Sequence, residues 1–250
     1  MPRNSSSELN SVVQKLIAIL GAFDEEKHAL NLSQIAERAQ LPVSTAYRLV
    51  RELVAGGILM KGSDKNYRVG TRLWLIAQAA PVNDQLRESA LPTLARLYEE
   101  TGENVTLAVL DRNRALYVDR IFGAQSVPTI SKAGGHLPLH TTGVGKVLLA
   151  YQPAEKIEAY LAKPLAKPTK YSKIDPESLR KELEETRARG YSITREEMSI
   201  GSSSMAMPIW VNGNVVAAVG VVVHADRLDI PRLTGILEKA AESISRGLSR

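Results

Sequence analysis

Apolar residues recur at helical spacing from Ser11 to Phe23, where Val12, Val13, Leu16, Ile17, Ile19, Leu20 and Phe23 predict a first, scaffold helix. The same period returns between Asn31 and Gly57 and is broken at Ala39-Gln40-Leu41-Pro42; Asn31 stands as N-cap and Gln34 completes a capping box. Two short helices around a tight turn read as a helix-turn-helix. Projected on a wheel, Val43 to Val54 gathers Ala46, Leu49, Val50 and Leu53 on one side and Ser44, Arg48 and Arg51 on the other, with Thr45 and Tyr47 at the margins. After Gly56-Gly57 the period drops to two in ILMKGSDKNYRVG, a hairpin around a polar loop from Gly62 to Asn66. A helix-turn-helix followed by a hairpin is a winged helix, with Lys61, Lys65, Asn66, Tyr67 and Arg68 on the wing.

Thr71 to Ala80 is again helix-compatible, and Pro81-Val82-Asn83-Asp84 interrupts it before a longer helix to about Thr101 that Pro92 kinks or restarts. The apolar Leu73, Trp74 and Ile76 either form a dimer contact or pack within the chain. From Glu103 the pattern turns to strands, NVTLAVLD, ALYVDRIF and SVPTISKAGG, with connections too short for crossover helices. Helices follow at Thr141 to Tyr151, Pro153 to Leu161 and Pro176 to Gly190. Then come YSITREE, SSMAMPIWV, the turn Asn212-Gly213-Asn214 and VVAAVGVVVH, whose last strand is apolar on both faces and therefore expected at the centre of the sheet. An amphipathic helix from Asp229 to Ser249 closes the pattern. The expectation is α+β: a winged helix-turn-helix over residues 1–80, a linker helix region over 81–102, and an antiparallel-sheet domain with flanking helices over 103–250.

Charge sharpens this division. The net charge is +5, and residues 1–80 carry ten Lys/Arg against seven Asp/Glu while the longer remainder is nearly balanced. A mild basic excess beside the wing suits nucleic acid. The absence of cysteine excludes a disulfide framework, a thiolate zinc site and a cysteine nucleophile, and favours a cytoplasmic protein. Residues 1–9 read as a loose polar arm without a signal-peptide core, and no apolar run approaches the ~20 residues of a membrane span.

Candidate chemistry falls in two places. Hydroxyls and guanidinium forks on the outer face of the second helix, Ser44, Thr45, Tyr47, Arg48 and Arg51, suit a major groove, and Lys61, Lys65 and Arg68 suit phosphate or the minor groove; solvated surface charge is the bland alternative. In GGHLPLHTTGVGK, a glycine-bearing loop opens a helix at Gly143, Val144 and Gly145. Either its N–H groups seat a carboxylate or the glycines serve tight packing. Neither a P-loop nor a dinucleotide fingerprint fits this spacing. His136 and His140 flank Pro138, which argues against a helical metal pair. Ser202-Ser203-Ser204 lack an elbow motif and read as pocket lining, and Glu196-Glu197 face opposite ways on a strand.

Taken together, LSQIAERAQLPVSTAYRLVREL, GGHLPLHTTGVGKVLLA, RARGYSITREEMSIGSSSMAMPI and VVAAVGVVV resemble the IclR family of bacterial transcriptional regulators, in the family's order and spacing. The resemblance implies a GAF-like effector-binding domain, a homodimer or dimer of dimers, and an operator of double-stranded DNA. It also implies a small-molecule effector, usually an organic acid, held at positions that here are Gly143, Val144, Thr194, Ser204, Gly220 and Val222. Ser204 stands where many members have cysteine, and Gly220 and Val222 where some have serine, which implies a less polar acid than a short keto acid. The expected function is ligand-responsive DNA binding, without cofactor, metal or membrane. The alternative is an enzyme acting on a small acid, for which the sequence offers no paired acid and base.

Overall fold

In the computed structural model, which describes residues 11–24, 27–78, 84–123 and 126–249, Ser11 and Gln14 form a capping box that opens α1 (Val12–Leu20). The chain divides into two compact units, residues 1–82 and 83–250. In the first, the Asn31 side chain accepts from the Gln34 N–H and the Gln34 side chain accepts from the Asn31 N–H, each at 3.0 Å, so two orphan donors at the start of α2 (Leu32–Arg38) are satisfied. Gln40 turns the chain in the left-handed region, φ 54°, into α3 (Val43–Ala55). Its inner stripe of Ala46, Leu49, Val50 and Leu53 is buried as predicted, against Ile19, Leu30, Ile35 and Leu59. Strands β1 (Leu59–Lys61) and β2 (Tyr67–Val69) pair antiparallel, and Leu30 bridges to Tyr67. Tyr67, expected on the wing, points inward instead and is only 6% exposed, because that bridge draws its ring into the core. Helix α4 (Thr71–Gln78) leaves Trp74, Leu75 and Ile76 exposed, and α1 does the same with Val12, Val13 and Ile17.

The second unit is an antiparallel sheet between two layers of helices. Its strands are β3 (Asn104–Asp111), β4 (Arg114–Ile121), β5 (His136–Pro138), β6 (Ser192–Arg195), β7 (Ser202–Val211) and β8 (Asn214–His224), in the order β5-β4-β3-β8-β7-β6. The doubly apolar β8 lies inside the sheet, as its pattern predicts. Asn212 and Gly213 both take positive φ in the β7–β8 turn. On one face α5 (Asp84–Thr101), which the sequence reading assigns to the linker, runs through Pro92 without interruption; its Leu86, Ala90, Leu94 and Leu97 join Leu233, Leu237 and Ile244 of α9 (Ile230–Leu248) over Val105, Val219 and Val221. On the other face lies α6 (Gly143–Ala150), with α7 (Ala154–Leu161) and α8 (Pro176–Arg189) outside it.

Every residue of α6 is buried. Close approach depends on glycine: a Cβ at Gly145 would stand 2.4 Å from Thr142 Oγ1 and 2.5 Å from the Leu139 carbonyl oxygen, and one at Gly220 would meet Ala206 and Met205 at 2.9 Å and Val144 at 3.2 Å. The expected strand SVPTISKAGG is a correction. Its described residues form bends and turns, because Pro128 lacks a donor and Gly134 turns the chain with φ 81°; Gly134, Gly135 and the short β5 clasp β4 through backbone hydrogen bonds. The expected arm over residues 1–9 and the break at Pro81-Val82-Asn83 lie outside the described residues.

Gly145→Ala is expected to destabilise the full chain by about 1–3 kcal/mol through overpacking. Gly235→Ala on α9, where nothing lies within 4 Å, should be neutral or stabilising by up to ~1 kcal/mol from helix propensity. Urea unfolding midpoints of the two proteins check the contrast.

Candidate functional site

Helix α3 turns Ser44, Tyr47, Arg48 and Arg51 to solvent and leaves Thr45 half-buried. Pro42 at its N-cap supplies no side-chain bond, so no side chain caps the first turn. The Arg51 guanidinium lies 5.8 Å from the centre of the Tyr47 ring, a contact that orients the fork without neutralising it. On the wing, Lys61 stands over the Tyr67 ring at 5.5 Å, and Lys65 is exposed at the tip with φ 63°. Arg68, expected to meet phosphate or the minor groove, bonds within the wing: its Nη2 and Nη1 donate to the Asp64 carboxylate at 2.6 and 3.0 Å. That bond holds the Asp64 carboxyl far below the usual carboxylate range, and the guanidinium is already engaged on the wing itself.

In the second unit, a cleft of about 40 Å³ opens over the sheet face that carries α6. Tyr117, Thr129, Ser131, Thr142, Thr194, Ser199, Ser202, Ser203 and Ser204 give it hydroxyls; Ile130, Leu137, Met198 and Val222 give it apolar surface, and among the described residues no charged side chain lines it. Cross-strand pairing of Thr194 with Ser204 and of Ser204 with Val222 explains why these predicted positions meet. The Ser204 and Thr194 hydroxyls are 2.6 Å apart, and Ser204 Oγ accepts from the Gly143 N–H at 3.1 Å. Burial pushes the Tyr117 phenol well above its ordinary pKa, so it remains a neutral hydroxyl.

Two of the three N–H groups at the expected carboxylate seat, those of Gly143 and Gly145, donate to hydroxyls of the protein itself. Ser204 takes the Gly143 N–H, and the Thr142 hydroxyl caps Gly145 at 3.2 Å. Val144 and Gly220 pack against each other, and Leu139 is buried in the α6 cluster, so these positions shape the wall without lining the opening. The lining is more polar than the sequence reading expected.

Beside the cleft, Lys146 reaches inward from α6 with none of its surface exposed. Its Nζ donates to both Glu197 carboxylate oxygens at 2.7 and 2.8 Å and contacts Glu182 Oε1 of α8 at 2.9 Å, while Glu182 Oε2 meets Lys173 at 3.0 Å. Burial raises the Glu197 carboxyl pKa even against the pull of Lys146. Burial also opposes ionisation of Glu182, but Lys146 and Lys173 overcome it and hold that carboxyl below its ordinary value. Glu196 faces away, accepting from the Gly201 N–H at 2.8 Å. The two histidines separate: His136 contacts Asp111 at the surface, and His140 is buried between the Tyr160 hydroxyl and the Ala166 carbonyl. Among the described residues, no His, Asp and Glu cluster could hold a metal ion, and no helix is long and apolar enough to cross a membrane.

Two family models cover the chain, the IclR helix-turn-helix domain over residues 12–61 and the bacterial transcriptional regulator IclR C-terminal model over 78–246. The chain belongs to the IclR family of bacterial transcriptional regulators. The transcriptional repressor IclR of Escherichia coli K12 is 28% identical over 255 residues, covering 98% of this chain and 93% of that protein. An IclR homolog from Microbacterium hydrocarbonoxydans, solved in complex with 4-hydroxybenzoate, is 33% identical with a TM-score of 0.90 and covers 95% of this chain and 99% of its own. The Thermotoga maritima IclR structure is 31% identical with a TM-score of 0.76, covering 95% and 98%.

Within this IclR-family chain, several cleft residues escaped sequence reasoning. Thr129, Ile130 and Ser131 lay inside a segment read as a strand, and Tyr117 inside one read only for its period. The hydroxyl-rich runs PTIS and MSIGSSS are the signal that could have found them. Lys146 read as a failed P-loop lysine, although a GK pair at a buried helix start asks for a carboxylate elsewhere in the chain. Lys146→Met is expected to cost about 3–5 kcal/mol by leaving two buried carboxylates uncompensated. Lys146→Met combined with Glu197→Gln should recover part of that loss. Chemical denaturation of both variants tests the ion cluster; equal stability of Lys146→Met and the unaltered chain would refute it.

Proposed function

We propose that this regulator binds a two-fold operator as a homodimer through residues 1–80, with Ser44, Thr45, Tyr47, Arg48 and Arg51 reading the major groove and Lys61 and Lys65 meeting phosphate. Residues 81–102 lead from the first unit into the sheet domain, whose face α5 covers, and residues 103–250 sense a small carboxylic acid in the cleft bounded by Thr194, Ser204 and Val222. The exposed fork pair of Arg48 and Arg51, on the side of α3 opposite its buried stripe, supports the DNA half. Trp74, Leu75 and Ile76 exposed on α4, and Val12, Val13 and Ile17 exposed on α1, are apolar groups of the kind a second copy covers.

The observation that carries the sensing half is a cleft lined by hydroxyls and short apolar groups, with no charge in its lining among the described residues. Such a surface matches a compact ring or chain bearing hydroxyl and carboxyl groups, and 4-hydroxybenzoate in the Microbacterium homolog is a ligand of that class. The cleft is smaller than ligand sites of ~300 Å³ and above, so binding requires an outward shift of a wall.

Mobility-shift titrations should show Arg48→Ala and Arg51→Ala each losing about 1–3 kcal/mol on the operator with relaxed specificity, and Lys65→Ala weakening all sequences alike with a salt slope smaller by about one. Operator affinity unchanged in both arginine variants would refute the groove assignment. For the cleft, Ser204→Ala combined with Thr194→Val should weaken 4-hydroxybenzoate binding by about 2- to 10-fold per lost hydrogen bond, read by calorimetry. Unaltered affinity in that double variant would remove the cleft from the sensing role.

A further inference from the structure

An acid in a cleft without charge needs a cation close behind the wall, and one arginine there is chemically incomplete. Arg120 of β4 lies opposite Thr106 in the β3 register, and Thr106 in turn lies opposite Gly220 of β8. Its guanidinium is held by neutral acceptors: Nη2 donates to Asn104 Oδ1 at 2.7 Å, and Nη1 donates to the carbonyl of Ser131, a cleft-lining residue. The Phe122 ring lies 4.3 Å from Cζ. No carboxylate pairs with it among the described residues, and Nε is a buried donor without a partner. Burial disfavours the charged form. A shielded guanidinium with an idle donor is costly in the empty state, and an anion presented to Nε and Nη would satisfy both charge and geometry.

We propose that Arg120 is the carboxylate-reading residue of the cleft, accepting the acid end of the effector side-on through Nε and one Nη while the hydroxyls of Thr194 and Ser204 meet its other end. This assignment rests on the cleft being the effector site. The side-on edge of a guanidinium pairs Nε with Nη2, so the acid competes with Asn104 Oδ1 for Nη2 and leaves the Nη1 bond to the Ser131 carbonyl in place. Asn104 of β3 also holds residues 126–131, its Nδ2 donating to the Val127 carbonyl at 2.7 Å, so the competition for Nη2 couples ligand binding to that segment. The specificity that follows is for anions over isosteric neutral molecules.

The test compares 4-hydroxybenzoate with its neutral isostere 4-hydroxybenzamide on the full chain by titration calorimetry, in the unaltered protein and in Arg120→Gln and Arg120→Lys. The unaltered protein should hold the acid about 10- to 100-fold tighter than the amide, the range of a charge-assisted hydrogen bond. Arg120→Gln should erase that preference by weakening the acid alone, and Arg120→Lys should restore part of it. Equal affinity for acid and amide in the unaltered protein overturns the role of Arg120 and leaves the cleft reading standing. Equal losses for both ligands in Arg120→Gln overturn it too, since they mark a residue that only fastens the segment. An unaltered protein that binds neither molecule overturns the cleft reading and this assignment together. The acid-to-amide ratio of the unaltered protein needs no variant, so a poorly folded Arg120→Gln does not rescue the idea.

Discussion

Lys146 carries its ammonium into the interior of the second unit, where an unpaired charge is intolerable and a well-bonded one ties together whatever supplies its acceptors. Glu197 comes from the turn after β6 and Glu182 from α8, so one side chain on α6 joins three parts of the layer. The helix can sit this deep because its neighbours leave room: Gly143 and Gly145 in its first turn and Gly220 in the sheet beneath. Burial of the whole helix in turn forces its N-terminal donors to find partners inside the protein, and the Thr142 and Ser204 hydroxyls provide them.

The cleft inherits its chemistry from that arrangement. Glu197 immediately precedes Met198 and Ser199 in its wall, and the Thr142 cap and Ser204 bond lie at its edge. Thr194 and Ser204 bond each other, so a ligand that meets these hydroxyls gains by exchanging bonds. Selectivity in such a site comes from polar groups placed where no internal partner reaches, more than from the area of contact.

The winged unit is organised by shorter-range forces. Its capping boxes, turn and hairpin each lie within a few residues of sequence, and its core needs only α1, α2, α3 and the strand pair. One local contact nevertheless alters the expected electrostatics of the wing. Asp64 faces Arg68 across the hairpin and takes two of its donors, while Lys61 and Lys65 stand without a carboxylate partner among the described residues.

Sequence by itself determined the features that depend on near neighbours. The 3.6-residue period placed Ala46, Leu49, Val50 and Leu53 inward, Asn31 and Gln34 announced the start of α2, Asn212-Gly213 announced the last hairpin, and the doubly apolar β8 announced its interior position. It also carried the family through motifs in fixed order. Tertiary structure decided which groups meet across long separations. Thr194 meets Ser204 through strand register, Ser204 meets Gly143 across sixty-one positions, and Lys146 meets Glu197 across fifty-one. A linear pattern records the period of burial along an element, but not the partner that satisfies a buried donor. For that reason the glycine-bearing helix start read equally well as an open anion seat, until packing showed the protein's own hydroxyls accepting from the Gly143 and Gly145 N–H groups.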